Sequence, residues 1–377
     1  MLILAAVVAI FVYGMIAAML GTILPDLSSR FQLTPRQNGT IAFAQALGLM
    51  LASLGVGPLL DDFGKKAGLI IGLGLIFLVL LALPRSSGYR SIIFLLFLLG
   101  CGGGIVVTGA NALTSDVGEA HRAIALNLVN IFFGLGGLAT PFISANLFNR
   151  NWVRLCYTVA GLTVATIAIQ VAAHMPPPTG AGRFIFADAG PVLGRPILFL
   201  LGFLLFLYVG CEVGVWNWLV RHLIAQGIPE SRALNILSLG FALGLLIGRA
   251  AVAPILIGVP PVYVTLGASV AMAVTTFLML RTNKPGPAAA LVFLAGLSMA
   301  PVFPTTLAIV ADAFPRMTGT AIGIVITCGW AGLAVSSHII GAIAGNDPKR
   351  IRKALMVIPA SSVLMILLNV GILGMAR

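Results

Sequence analysis

Charge is what this sequence has least of. Only 8% of its 377 residues are Asp, Glu, Lys or Arg, against about 25% in soluble globular domains. A soluble chain of this size could not cover its surface with polar groups, so most of its solvent must be lipid. Acid is scarcer than base: 10 Asp and Glu stand against 22 Lys and Arg. Cysteine is scarce too. Cys101, Cys156, Cys211 and Cys328 stand singly inside apolar runs. None has metal or redox spacing, so they read as small apolar packing residues. No Walker A sequence occurs, and the longest polar interruption, about His174 to Arg195, is far too short for an ATPase domain. ATP-driven transport within this chain is therefore not expected. No His/Asp/Glu cluster or Ser-centred triad pattern appears either, so the chain is not expected to be an enzyme, and no cofactor or metal is implied.

The net charge of +12 raises nucleic acid as a partner. Its carriers, however, lie in ones and twos at segment ends, where long cationic side chains reach phosphate headgroups. Membrane lipid, and not nucleic acid, is the expected polyanion.

What the chain does have is apolar length: 59% of its residues are hydrophobic. A spanning helix needs roughly 20 apolar residues. Twelve such runs occur, at about 2–24, 38–60, 67–84, 91–113, 123–148, 153–173, 196–219, 233–257, 262–280, 288–311, 319–343 and 354–375. They are continuous and not alternating, which predicts helices and excludes a lipid-facing barrel. The first has no cationic n-region and no small-residue cleavage site, so it is expected to stay as a helix. The predicted fold is an all-α membrane protein of twelve transmembrane helices.

A Pro/Gly-rich interruption (Pro176, Pro177, Pro178, Gly180, Gly182) divides the runs six and six. The halves align at a fixed offset of 196 residues. Gly14 falls on Gly210, Arg36 on Arg232, Pro58 on Pro254 and Asp116 on Asp312, and Ala46-Leu47-Gly48-Leu49 repeats identically as Ala242-Leu243-Gly244-Leu245. This predicts two pseudo-symmetric six-helix bundles, 1–174 and 196–377, with a cytoplasmic linker at 175–195. Duplicated halves suit a secondary transporter, since two rigid bundles can rock about a central site. Glycine, with 44 copies, lets helices approach closely.

After the second run stands Gly57-Pro58-Leu59-Leu60-Asp61-Asp62-Phe63-Gly64-Lys65-Lys66. This resembles the signature between helices 2 and 3 of the major facilitator superfamily, Gly-x-x-x-Asp-basic-x-Gly-basic-basic. Gly57, Asp61, Gly64, Lys65 and Lys66 match, and Asp62 replaces a basic residue. The resemblance implies that Asp61 caps a neighbouring helix and latches the two halves. A carboxylate beside helix N-termini is favourable. The second-half counterpart, Ala253 to Gly258, lacks the charges, with Arg249 as a partial replacement and Asp312 as its expected partner. Three further segments, Leu126 to Gly134, Tyr208 to Leu219 and Ala300 to Thr305, resemble helices 5, 7 and 10 of the fucose/glucose–proton symporter branch. That branch implies hexose-like substrates moved with protons.

Ionisable groups at bilayer depth are expensive and point to function. Glu212 lies well inside the seventh run. Burial favours the protonated form of a carboxylate, the property that proton coupling requires, so Glu212 is the expected proton-coupling residue. Asp26, at the end of the first run, is the second candidate, with a helix-end role as the plainer reading. A sugar site needs hydrogen-bonding groups and an aromatic face. Candidates are Tyr13, Gln45, Thr327 and Trp330 near mid-membrane, Asn111, Asn127 and Asn130 toward one side, and Glu212, Trp216 and Asn217 toward the other. Phe303 joins them from the segment resembling helix 10. Asn127 and Asn130 share a helix face at i, i+3, as do Glu212 and Trp216 at i, i+4. For any one Asn or Gln, an interhelical hydrogen bond explains its presence equally well. Trp218 reads as an interfacial anchor, and His338 as a packing residue.

The family topology places both termini and the linker in the cytoplasm, in a bacterial inner membrane. Eight Lys and Arg then lie inside and the other fourteen outside, the reverse of the positive-inside rule. An anionic substrate steered by a basic outer face, or an acidic exterior, would reconcile the two. The expected function is proton-coupled alternating-access symport of a sugar-like solute by a monomer. The alternatives are an exporter or flippase of amphipathic or anionic compounds, and a non-transporting membrane sensor.

Overall fold

The computed structural model describes residues 1–149, 151–175, 177–178, 190–282, 284–344 and 350–375, without the side chains of 35, 36, 191, 230, 231 and 337. The expected linker, 175–195, falls largely outside the described residues.

Twelve helices long and apolar enough to cross a membrane occur among the described residues. They are α1 Leu2–Phe31, α2 Gln37–Phe63, α3 Lys65–Arg85, α4 Tyr89–Val117, α5 Glu119–Asn146, α6 Trp152–Ala172, α7 Pro196–Ala225, α8 Arg232–Gly258, α9 Pro261–Arg281, α10 Pro285–Ala313, α11 Thr318–Ala344 and α12 Ile351–Met375. Each expected run is one of these helices. Helices are what the medium demands, because backbone groups in lipid must be satisfied within the segment. Large apolar side chains such as Phe43, Phe142, Ile257 and Leu367 remain exposed, a face suited to acyl chains and not to water.

Several helices depart from simple runs. α1 continues past its expected end at 24, because Leu27 is fully buried and anchors the last turns; it stops where Gln32 turns left-handed. Asp26 therefore lies inside the helix and not at its end, which removes the helix-end reading. The helix entering α2 begins with a reciprocal cap: Thr34 accepts from the Gln37 N–H, and Gln37 accepts from the Thr34 N–H, with Pro35 in the first turn. α10 breaks between Met299 and Val302, where Pro301 has no N–H to give. α8 carries a π-helical segment, Ile236–Ala242.

The 196-residue offset reappears as packing. In the first half α2 crosses α4 so closely that a Cβ on Gly48 would collide with the Phe97 carbonyl oxygen, and one on Gly100 with that of Gln45. In the second half, α8 and α10 repeat this with Gly244 against Phe293 and Gly296 against Phe241. All four residue pairs are related by the same offset. Gly14 and Gly136 bring α1 and α5 together, as their counterparts Gly210 and Gly332 do for α7 and α11.

The chain divides into two compact units. The first comprises Met1–Arg122, Val129–Val192 and Phe314–Thr327. Within it α2 and α3 pack on α4, and α1 and α3 on α6. The second comprises Ala123–Leu128, Leu193–Ala313 and Cys328–Arg377, with α8 and α9 packed on α10, and α9 and α7 on α12. In the second unit Asn369, fully buried, accepts from the Thr265 hydroxyl at 2.6 Å and donates to Ser269 at 3.2 Å. Such interhelical bonds in membranes are worth about 0.6 kcal/mol each.

Candidate functional site

The turn between α2 and α3 is a single residue. Gly64 holds φ +88°, a conformation strained for any side chain, so α3 starts at once. Asp61 and Lys65 consequently face the same groups. The Asp61 carboxylate, 5% exposed, accepts from the Gly319 N–H at 2.9 Å. It also accepts from the Thr320 N–H and the Thr320 hydroxyl, both at 2.8 Å. These donors belong to the first turn of α11, where N–H groups lack intrahelical partners and the helix dipole favours an anion. Lys65 reaches Asp116 at 3.0 Å and Asp61 at 3.8 Å, so the buried charges compensate one another. Lys66 donates to the Val171 and Ala173 carbonyls at 2.6 and 3.0 Å, where the C-terminus of α6 attracts a cation. Gly57 admits the crossing: a Cβ there would stand 2.5 Å from the Thr320 Cα. Gly319, Thr320 and Asp116 were not legible as partners in the sequence, because the first two lie more than 250 residues away.

The polar candidates of the first unit form separate small contacts. Asn111 is fully buried, donates to the Val107 carbonyl and accepts from Asn130 at 2.9 Å. Tyr13 stacks on Phe133 with centroids 5.3 Å apart. Thr327 donates to the Gly323 carbonyl at 2.8 Å, and Gln45 is buried. In the second unit, Asn127 is fully buried and donates to Ala123 and to the Thr305 hydroxyl at 2.9 Å. Its own carbonyl oxygen has no hydrogen-bond partner among the described residues. Asn127 and Asn130 thus share a helix but bond to different neighbours, α10 and α4. Phe303 and Trp330 are half-buried.

Glu212 is half-buried on α7, one turn from Tyr208 and one from Trp216. Tyr208 is fully buried. Its hydroxyl faces the Glu212 carboxylate and feels the charge of Arg249, yet closes no hydrogen bond of standard geometry among the described residues. Trp216, 38% exposed, sets its ring edge-on to Phe241 at 5.3 Å, inside the π segment of α8. Asn217 is exposed. Arg249 is buried and Asp312 exposed. His338 is exposed as well, so it is not the packing residue expected. Trp218 carries Arg221 over its ring at 5.7 Å. Two polar residues here are not singled out by the sequence: Tyr208, which enters only as the start of the segment resembling helix 7, and His222, buried against Gln226 at 2.9 Å. An open cavity of about 490 Å³ lies at the α1–α2 hairpin, lined by Gly21, Leu24, Pro25, Ser28, Ser29 and Asn38. None of the expected substrate residues lines it.

Comparison with known proteins fits this geometry. Residues 6–337 match the Major Facilitator Superfamily. The chain is 22% identical to bypass of stop codon protein 6 of Saccharomyces cerevisiae, over 91% of this chain and 76% of that protein. It is 28% identical to a glucose/galactose transporter of Brucella abortus, over 64% of each. Its fold is similar to the crystal structure of FucP in the outward conformation, with a TM-score of 0.85 at 17% identity over 97% of both chains; FucP is the Escherichia coli fucose:proton symporter. With twelve spanning helices and a family match over most of its length, this chain belongs to the Major Facilitator Superfamily and is a multi-pass membrane transporter.

Proposed function

We propose that this transporter is a proton-coupled symporter of a sugar-like solute, resident in a bacterial inner membrane with both termini in the cytoplasm. The observation that carries the reading is Glu212. It is an acid held half-buried in the middle of a spanning helix, where an unneeded charge would be costly. The Tyr208 hydroxyl that faces it, and that also feels the Arg249 charge, supplies a polar neighbour. Taking or releasing a proton at Glu212 would change the charge that the Tyr208 hydroxyl and its surroundings meet. That gives two electrostatic states on which alternating access can be biased. Trp216, one turn away and exposed, offers the aromatic face that a sugar ring's C–H surface needs, and Asn217 offers donors and acceptors. The names of two similar proteins, a glucose/galactose transporter and a fucose:proton symporter, support the substrate class.

In this reading α1–α6 (1–174) and α7–α12 (196–377) act as the two moving bundles. The Asp61 cap on α11 is then a latch that is made and broken in each cycle, with Gly57, Gly64, Lys65 and Lys66 building its turn.

The test is transport in liposomes under an imposed proton gradient, with hexoses and organic acids as the solute panel. Wild type should accumulate a hexose. Glu212→Gln should lose gradient-driven accumulation and keep solute exchange. Undiminished accumulation by the variant refutes the coupling role, and accumulation of organic acids without any hexose replaces the sugar by an anion.

A further inference from the structure

We infer that the end of the first unit opposite the Asp61 turn is a docking surface for the phosphodiester headgroups of anionic phospholipids. The helix hairpins bring the end of α1, the end of α3 and the starts of α2, α4 and α6 to this end. Arg30, Arg85, Arg90 and Arg154 all stand there exposed. Asp26 is the one carboxylate there, and it forms no ion pair among the described residues. The opposite end of the unit is neutralised instead: Lys65 pairs with Asp61 and Asp116, and Arg122 approaches Glu119 at 3.8 Å.

Two of these arginines are held in place. Arg30 lies over the rings of Phe31 and Trp152, at 5.2 and 5.7 Å, and donates one nitrogen to the Pro84 carbonyl. Arg85 lies over Tyr157 at 5.8 Å and donates one nitrogen to the Leu81 carbonyl. Each guanidinium therefore rests on an aromatic face, with one nitrogen spent on the end of α3 and no other hydrogen bond from its fork among the described residues. A fixed, planar fork matches a phosphate diester bidentately. Trp and Tyr rings mark headgroup depth, which puts the forks level with lipid phosphate and selects lipid over a dissolved ion. The second unit repeats the arginine-over-ring part of this arrangement by itself. Arg281 is the counterpart of Arg85 at the 196-residue offset, and it lies over Phe277 at 4.9 Å. A lipid occupant also answers the charge bias: basic residues concentrated on one side have a partner there.

The experiment titrates the purified full-length protein, in detergent, with phosphatidylglycerol or phosphatidylcholine and counts retained lipid by native mass spectrometry. Wild type should prefer phosphatidylglycerol. Each Arg→Gln change should weaken that affinity about fivefold, so Arg30→Gln/Arg85→Gln should lose about 25-fold with phosphatidylcholine unaffected. Arg30→Lys/Arg85→Lys keeps charge without stack or fork and should fall between. Arg122→Gln, at the neutralised end, should change nothing. Equal retention of the two lipids by wild type overturns the proposal and needs no variant to fold. So does an undiminished preference in the glutamine and lysine pairs. Inorganic phosphate displacing the lipid at equal affinity makes the site one for free anions and overturns it as well.

Discussion

Asp61 gathers three hydrogen-bond donors from one distant stretch of the chain onto a single carboxylate. Asp61→Asn removes the charge and turns one of its atoms into a donor facing the N–H groups of α11. We expect this to cost about 1.5–3 kcal/mol, the range for hydrogen bonds to a charged group, and to lower the midpoint of thermal unfolding in detergent. Asp62→Asn, next to it and half-buried, should leave the midpoint unchanged; equal shifts from both would assign the effect to turn charge and not to the cap. Asp61 could be singled out from sequence because its companions, Gly57, Gly64, Lys65 and Lys66, are close along the chain and each has a local reason to be there. Its acceptor duties could not, because Gly319 and Thr320 carry no mark of their partner. Glu212 was legible for the opposite reason, as a lone acid in an apolar run, whereas the Tyr208 hydroxyl beside it was hidden by an apolar ring.

At the scale of a helix, α2 puts the two uses of glycine side by side. A methyl on Gly57 would meet the Thr320 backbone, while one on Gly55 would meet nothing within 4 Å. Gly57→Ala should therefore abolish transport and reduce folded yield, since neither backbone can withdraw. Gly55→Ala should be tolerated or slightly stabilising, by up to about 1 kcal/mol of helix propensity. Yield by fluorescence size-exclusion chromatography separates the two, and equal yields would mean that the α2–α11 crossing is not tight. The existence of all twelve helices was readable because length in lipid leaves little choice of structure. Their ends and interruptions were not. α1 runs on to Phe31 through Pro25 because tertiary burial of Leu27 outweighs the local signal. The π segment of α8 occurs in a stretch whose composition is that of any spanning helix.

For the molecule as a whole, the Asp61 turn and the charge count point to opposite orientations. Ser87, in the turn before α4, and Ala120, in the first turn of α5, are exposed at opposite ends of α4. With both termini inside, a cysteine at Ser87 should react with a membrane-impermeant maleimide in intact cells, and one at Ala120 only after permeabilisation. The native cysteines lie within the spanning helices and give the background to subtract. The reverse pattern would put the motif outside and restore the positive-inside rule. The duplication itself is less even than its fixed offset suggests. Ile236–Ala242 corresponds to Thr40–Ala46 of α2, which is ordinary α-helix. A wider turn leaves the contacts at Phe241 and Gly244 in register with those at Gln45 and Gly48, but it rotates everything N-terminal to it about the helix axis. Residues of α8 before Ile236 thus point in directions that their α2 equivalents do not. Substitutions can be transplanted between the two repeats by sequence number beyond that turn, and mislead before it.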